Sequence, residues 1–281
     1  MATSLQTVSA RPAVRHRSVP WRPLLLTLLA VICLVPIFVV MGLSLRPLVS
    51  SDTQGPTLES FAYVLTGTNL PVWLRNSLLS TLAATVISVV VAAPAGYVIS
   101  RGRSRAVSAF SLGIFVVQSL PVVIFVIPLF MVFSQLRMVD SLTGITVIYV
   151  ASSLTVATWM MAAYFDSIPS SLEEAAWIDG CSVLGGFVRI VLRNSLPGVL
   201  STAIYSFLLA WNDYLIALVF LRSDANFTLP IGLQTFFQQN ATDWGPVMAS
   251  AVVMMAPPVL IFAFLNRYFS VGGIGGSLAG Q

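Results

Sequence analysis

The chain has 281 residues, of which 57% are hydrophobic and 9% charged, and its formal net charge of +4 comes from fourteen Arg, ten acids and no Lys. A soluble domain carries roughly a quarter charged residues, so this composition excludes an ordinary water-soluble fold and predicts an all-α integral membrane protein. The lack of Lys excludes a Walker A phosphate loop and Schiff-base catalysis, which both need an amine side chain. One His, His16, and two distant cysteines, Cys33 and Cys181, exclude a His/Cys metal cluster.

Residues 1–20 read as a flexible cytoplasmic arm, polar and carrying Arg11, Pro12, Arg15, His16, Arg17 and Pro20. A helix needs about 20 apolar residues to cross a hydrocarbon core of about 30 Å. Six stretches meet this, at about 22–45, 74–100, 107–133, 143–165, 198–221 and 246–266. The first has the basic flank of a signal peptide, but its apolar run is too long and more spans follow, so it is read as a retained helix. The organisation is an arm over 1–20, a six-span domain over 21–266 and a Gly-rich cytoplasmic tail over 267–281.

Ten Arg lie before the first span, in the "RGRSR" turn at 101–105, in the 166–197 loop and after the last span, whereas the alternate loops hold only Arg46, Arg75, Arg137 and Arg222. The positive-inside rule then puts both termini in the cytoplasm. The Arg residues punctuate the spans and form no single stripe with interleaved aromatics, so anionic lipid, and not nucleic acid, is the expected counterion. Pro36, Pro94, Pro121, Pro128, Pro257 and Pro258 fall inside spans. They signify either ordinary kinks or broken helices that expose carbonyls to a solute. Gln118 and the hydroxyls of Ser152, Ser153, Thr155 and Thr158 are polar groups of the third and fourth spans, more suited to joining helices than to holding a ligand.

The 166–197 loop is long for a connector and concentrates Glu173, Glu174 and Asp179. Ser171 with Glu174 three residues on has the spacing of a capping box, the acids suit the positive end of a helix dipole, and Gly180 suits a left-handed stop. A short helix is predicted from Ser171 through Ala175, Ala176, Trp177 and Ile178. It is followed by "FVRIVLRNSLP", with Arg189 and Arg193 on one face. Such a helix either lies along the membrane on Trp177 and Ile178 or enters a groove on a partner protein. Membrane-surface helices present Arg or Lys to anionic lipid, whereas this one presents acids, which favours the partner.

Glu174-Ala175-Ala176, three residues, Gly180, nine residues and Ile190 resembles the EAA loop of bacterial ABC importer permeases. Arg75-Asn76-Ser77, "WNDY" at 211–214, "FTLPIGL" at 227–233, and Arg267-Tyr268-Phe269 followed by Gly272, Gly276 and Gly280 resemble the carbohydrate, maltose-type branch. Arg193 replaces the family's Pro, implying a straighter helix after the loop, with Pro197 at the site of a second Pro; Ala279 replaces a common Lys. The resemblance implies a type I importer permease in the bacterial cell membrane, working with two ATP-binding subunits, a second, non-identical permease chain and an extracytoplasmic solute-binding protein. It implies that Glu173, Glu174, Ala175, Ala176, Asp179 and Gly180 form a coupling helix docked on an ATPase, and that ATP and magnesium sit on those partners, leaving this chain without cofactor, metal or catalytic residues.

Trp211, Asn212, Asp213 and Tyr214, toward the outer end of the fifth span, are candidates for the solute path. Asp213 reads equally as a hydrogen-bonding hub or as a partner of Arg75, because a carboxylate in the bilayer must be compensated. The competing function is an ion-coupled carrier titrating Asp213. An intramembrane enzyme is disfavoured by the lack of a His cluster or a G-x-S-x-G elbow.

Overall fold

The computed structural model describes residues 21–50, 52, 54–237 and 242–269; the expected arm and the tail glycines, with Ala279, lie outside the described residues. Among those described the chain is helical, without strands. In chain order the helices are α1 (Trp21–Ser44), α2 (Glu59–Thr66), α3 (Leu70–Arg101), α4 (Arg105–Ser119), α5 (Val122–Gln135), α6 (Leu142–Asp166), α7 (Ser171–Ile178), α8 (Val183–Gly186), a π-helical turn (Phe187–Val191), α9 (Leu192–Asn194), α10 (Leu196–Trp211), α11 (Leu215–Phe220), α12 (Leu229–Gln234) and α13 (Trp244–Phe269), with a 3₁₀ turn at Asp224–Asn226. Four helices, α1, α3, α6 and α13, are long and apolar enough to cross a membrane, and two bent pairs, α4 with α5 and the 183–194 segment with α10, raise the number to six if each pair is one span.

The centre is the α3–α6 hairpin, against which α10 packs, while α13 carries α1 and touches α2, α10 and α12. Small and hydroxylated residues make the close approach possible. Along the buried face of α3 lie Ser77, Ser80, Thr81, Ala84, Thr85, Ser88, Ala92, Ala93 and Gly96. Ser80 and Thr85 donate back to the carbonyls of Asn76 and Thr81, 2.8 Å each, and Ser88 Oγ meets Ser153 Oγ of α6 at 2.7 Å. A methyl group on Gly96 would lie 2.8–2.9 Å from Met161, Ala162 and Thr158, so the two helices touch backbone to backbone there. By contrast no residue of the most apolar window of α1 is buried, and α4 buries none either. These faces are solvated by lipid tails or by another membrane chain.

Two expected spans are broken. Residues 107–133, read as one helix, form α4 and α5 at 97° to each other. The residue before a proline is pushed out of the helical region, and Leu120, preceding Pro121, is extended at φ −86°, ψ 134°. At Pro36, Pro94, Pro128 and the Pro257–Pro258 pair the helix runs on, so those prolines are accommodated. The expected 198–221 span stops at Trp211 and resumes as α11 from Leu215. Upstream, the 183–194 segment meets α10 at 77°, so the straighter helix expected from Arg193 does not form. Ser195 leaves helical geometry (φ −96°, ψ 11°) ahead of Pro197, which has no amide to continue the ladder, and the π-turn displaces the register before it.

At the end of the bundle opposite the 166–197 loop, Asp140 knots the α5–α6 turn to the loop after α11. Its backbone is left-handed at φ 56°, its carboxylate accepts from the amides of Arg222 and Ser223 at 2.9 and 3.0 Å and from the Ser223 hydroxyl at 2.7 Å, and its carbonyl accepts from Asn226 Nδ2 at 2.6 Å. Burial alone would raise the Asp140 pKa, but the donors around the carboxylate outweigh it and hold the group below its ordinary 3.8. A depressed native pKa adds stability that is complete above the unfolded value and lost as pH falls through the native one. The Tm gap between wild type and Asp140→Asn in detergent is therefore expected to persist from neutral pH to about the ordinary carboxylate range and to narrow below it. A gap that stays constant into strong acid sinks this account.

Candidate functional site

The 166–197 loop is built from the end of α6 onward. Pro169 and Ser170 already turn helically, since Leu172 N donates to Pro169 O (3.2 Å) and Glu173 N to Ser170 O (2.9 Å). The first amides of α7 are thus served by backbone, and the expected Ser171–Glu174 capping box does not form: Ser170 is the cap, with no side-chain bond. The far end follows its glycine. Gly180 has φ +89°, Cys181 N donates to Ala176 O at 2.9 Å and Gly180 N to Trp177 O at 3.0 Å, which is the paired closure of a Schellman motif.

The three acids of α7 and its C-cap part company. Glu174 and Asp179 are exposed with Ala175 and Gly180 beside them, whereas Ala176 is buried and Glu173 is 1% exposed. Glu173 therefore faces the protein and does not solubilise the helix as its neighbours do; consecutive helical residues point about 100° apart. Arg101, the last residue of α3, reaches Glu173 Oε1 through Nη2 (2.7 Å) and Nε (2.8 Å), and the Tyr97 hydroxyl donates to Oε2 at 2.6 Å. Arg101 Nη2 also donates to Ile168 O (3.0 Å), and Ser100 donates to Asp166 Oδ1 (2.5 Å). Beneath them the rings of Tyr97, Phe165 and Phe187 meet at centroid distances of 4.7 to 6.2 Å, inside a cluster with Ala92, Ala93, Met161 and Val191.

The outward side of the loop is apolar and carries two exposed acids. Trp177, Ile178, Val183, Leu184 and Val188 are exposed, Ile178 by 87%, with Glu174 and Asp179 beside them. Arg189 and Arg193 are exposed on the segment leading back to the membrane. Exposed apolar residues gathered on one short segment are suited to an interaction surface.

At the outer end of the fifth span the four candidate residues separate in role. Trp211 is 1% exposed, stacked on Phe207 at 5.4 Å, with its indole donating to Met254 O at 3.2 Å; its face is occupied by protein. Asn212 is exposed and bonds back to Leu208 O (2.9 Å). Asp213 accepts from the amides of Ala217 (3.0 Å) and Ile216 (3.4 Å) and from the Tyr149 hydroxyl (3.2 Å). It starts α11 and ties it to α6, so amides and a phenol, and not Arg75, compensate it. Tyr214 donates to the Gln234 side chain. The break in the span at 212–214 is thus the reason for an acid there.

A second constellation escaped the sequence as a spatial unit. Buried Asn76 donates through Nδ2 to the carbonyls of Ala225 (2.9 Å) and Phe227 (3.0 Å), Ser77 Oγ accepts from Leu229 N at 2.7 Å, and the Trp73 indole donates to Asp224 O at 3.1 Å. The "RNS" and "FTLPIGL" segments are one fastening of α3 to the outer loop. Gln118 is exposed at the α4–α5 elbow, and Ser153 and Thr158 join helix to helix or bond back to Leu154.

The chain has the fold of a solved chain from a bacterial ABC transporter that imports the acidic polysaccharide alginate, with TM-score 0.77 and 22% identity over 89% of this chain and 95% of that one. A putative ABC transporter permease of Streptomyces antibioticus is 35% identical over 79% of this chain and 97% of its own length. The sulfoquinovosyl glycerol transport system permease of Agrobacterium fabrum is 32% identical over 79% and 80% respectively. Residues 89–271 match the family described as "Binding-protein-dependent transport system inner membrane component". That stretch contains the acidic loop, the elbow and the last four spans, and with these likenesses it places the chain in the membrane as a multi-pass transport component, a permease of the ABC importer family of binding-protein-dependent systems.

Proposed function

We propose that this permease imports a sugar or sugar-like solute and that α7 is its coupling helix, seated in a cleft of a cytoplasmic ATPase. The observation that carries the coupling role is the exposed apolar patch of Trp177, Ile178, Val183, Leu184 and Val188 rimmed by Glu174 and Asp179: acids repel the anionic lipid surface and suit a basic-rimmed protein groove. The carbohydrate class is supported by the sugar-branch motifs at 75–77, 211–214 and 227–233 and by the sulfoquinovosyl glycerol relative. The assembly has two ATPases, which hold ATP and magnesium, a second and different permease chain, and a solute-binding protein outside the membrane. In this chain Glu174, Ala175, Asp179 and Gly180 form the docking face and its turn, Ala176 and Glu173 its inward anchor. Asn212 and Tyr214 border the solute path, with Trp211 and Asp213 holding their backbone. An ion-coupled carrier is the weaker reading, because the Asp213 carboxylate is already engaged by two amides and Tyr149.

Glu174→Lys reverses charge on an exposed residue and leaves the fold intact. Its expected effect is loss of ATPase co-purification from mild detergent by at least about tenfold, on the order of 1.4 kcal/mol, with normal membrane insertion. Undiminished co-purification overturns the docking role.

A further inference from the structure

The inward half of α7 does something that the docking face does not explain. Of its eight residues only Glu173 and Ala176 are buried. A single alanine offers little apolar anchorage, and the Trp177 indole lies against Gly186 of the adjacent α8, so what ties α7 to the α3–α6 hairpin by polar contact of its own side chains is one carboxylate. Both of its oxygens are engaged, by three donors from the last two turns of α3. Arg101 spans the joint: the same Nη2 that meets Glu173 also donates to Ile168 O, in the turn that leaves α6, and Nη1 donates to Ser100 Oγ at 3.1 Å. Ser100 in turn bonds Asp166, the last residue of α6. The ends of α3 and α6 and the start of α7 are thus locked at one point. The helices above that point are in backbone contact at Gly96, which leaves no compliant layer between them.

We infer that Tyr97 and Arg101 are positioning residues that fasten α7 to the α3–α6 hairpin through Glu173, so that a displacement of α7 is delivered to both membrane-crossing helices as motion of one rigid body. The inference rests on the reading of α7 as the coupling helix. It assigns adjacent acids opposite duties: Glu174 faces the partner, Glu173 faces the permease. A buried ion pair is weak evidence for stability, since well-packed apolar residues of the same volume hold as firmly. Its directional geometry, two Arg101 nitrogens on Oε1 and the Tyr97 hydroxyl on Oε2, does fix register, and a transmitting joint needs register because slack there dissipates the stroke. Coupling carried by a contiguous hydrogen-bonded network predicts that breaking one link lowers transmitted motion without lowering partner binding.

The test uses the assembled importer with its ATPases, in which Cys33 and Cys181 are replaced by serine and spin labels are placed at exposed Leu172 of α7, Leu79 of α3 and Leu260 of α13. The trigger is MgATP with vanadate, so no cargo is needed. In the otherwise native assembly the Leu79–Leu260 distance is expected to shift on trapping while the Leu172–Leu79 distance stays constant. In Arg101→Gln the Leu79–Leu260 shift is expected to fall at least about twofold and the Leu172–Leu79 distance to broaden, with ATPase co-purification unchanged. The reversal Arg101→Glu with Glu173→Arg is expected to restore the shift. If Arg101→Gln fails to accumulate, Tyr97→Phe removes one donor only and is expected to give a smaller loss of the same kind. A full shift in whichever variant is assembled overturns the inference, and so does loss of ATPase co-purification by Arg101→Gln, which makes Arg101 part of the docking. Absence of both a co-purifying ATPase and a vanadate response in the native assembly overturns the coupling reading itself and this inference with it.

Discussion

Gly232→Ala is expected to lower stability by about 3 kcal/mol, the upper part of the range for overpacking a filled interior. A Cβ at this position would sit 2.1 Å from Trp73 Cε3 and 2.2 Å from Cδ2, inside any permitted contact. The indole has nowhere to retreat: it is 3% exposed, it meets Phe236 edge to face at 5.9 Å, and its nitrogen is spent on Asp224 O. Thus α12 must lift from α3, carrying the outer loop with it. Thermal unfolding in detergent measures the loss. The double variant Gly232→Ala with Trp73→Leu is expected to be less destabilised than the sum of the singles, because the smaller side chain makes room for the methyl. Strict additivity sinks the steric explanation.

Asn76→Leu is expected to cost a comparable amount by a different cause. Asn76 is 0% exposed and its Nδ2 serves two carbonyls of the outer loop. An isosteric apolar side chain removes both bonds from a buried position and leaves the carbonyls of exposed Ala225 and half-buried Phe227 without this donor; an unsatisfied buried group costs about 1–3 kcal/mol, so the loss is at most about 3 kcal/mol. Asn76→Asp should be no better, because a carboxylate turned toward two carbonyl oxygens is repelled and must protonate to stay buried. Limited proteolysis from the outer face is expected to cut Asn76→Leu within 223–228, where the wild type resists. Wild-type resistance together with a wild-type Tm refutes the bond assignment.

What the sequence disclosed divides along physical lines. Apolar length sufficed for the four to six candidate spans, because burial in lipid is a property of composition. Gly180 was legible as a helix stop because a left-handed residue there leaves only one chemically easy choice, and the Schellman closure followed. The capping box was not realised, since upstream backbone carbonyls at Pro169 and Ser170 satisfied the amides that Ser171 was expected to serve. Glu173 and Glu174 are indistinguishable as letters. Their opposite fates depend on Arg101, 72 residues earlier, and no local pattern contains that partner. The same holds for Asn76 and the loop about 150 residues later. At 211–214 the sequence suggested a solute path, yet packing consumed the Trp211 face. Pro121 announced a disturbance, but its size was set by a residue, Leu120, that neighbouring packing leaves free to extend.

The elbow at Leu120–Pro121 has a bearing on the bilayer itself. α4 has 15 residues and α5 has 14, about 22 Å and 21 Å of helix, each short of a hydrocarbon slab of about 30 Å. Set at 97°, they cannot both stand upright, and their apolar shells leave a mismatch that the surrounding lipid must absorb by thinning or that a neighbouring chain must cover. Membrane thickness is therefore a mechanical variable for this protein, acting where its architecture is least self-sufficient.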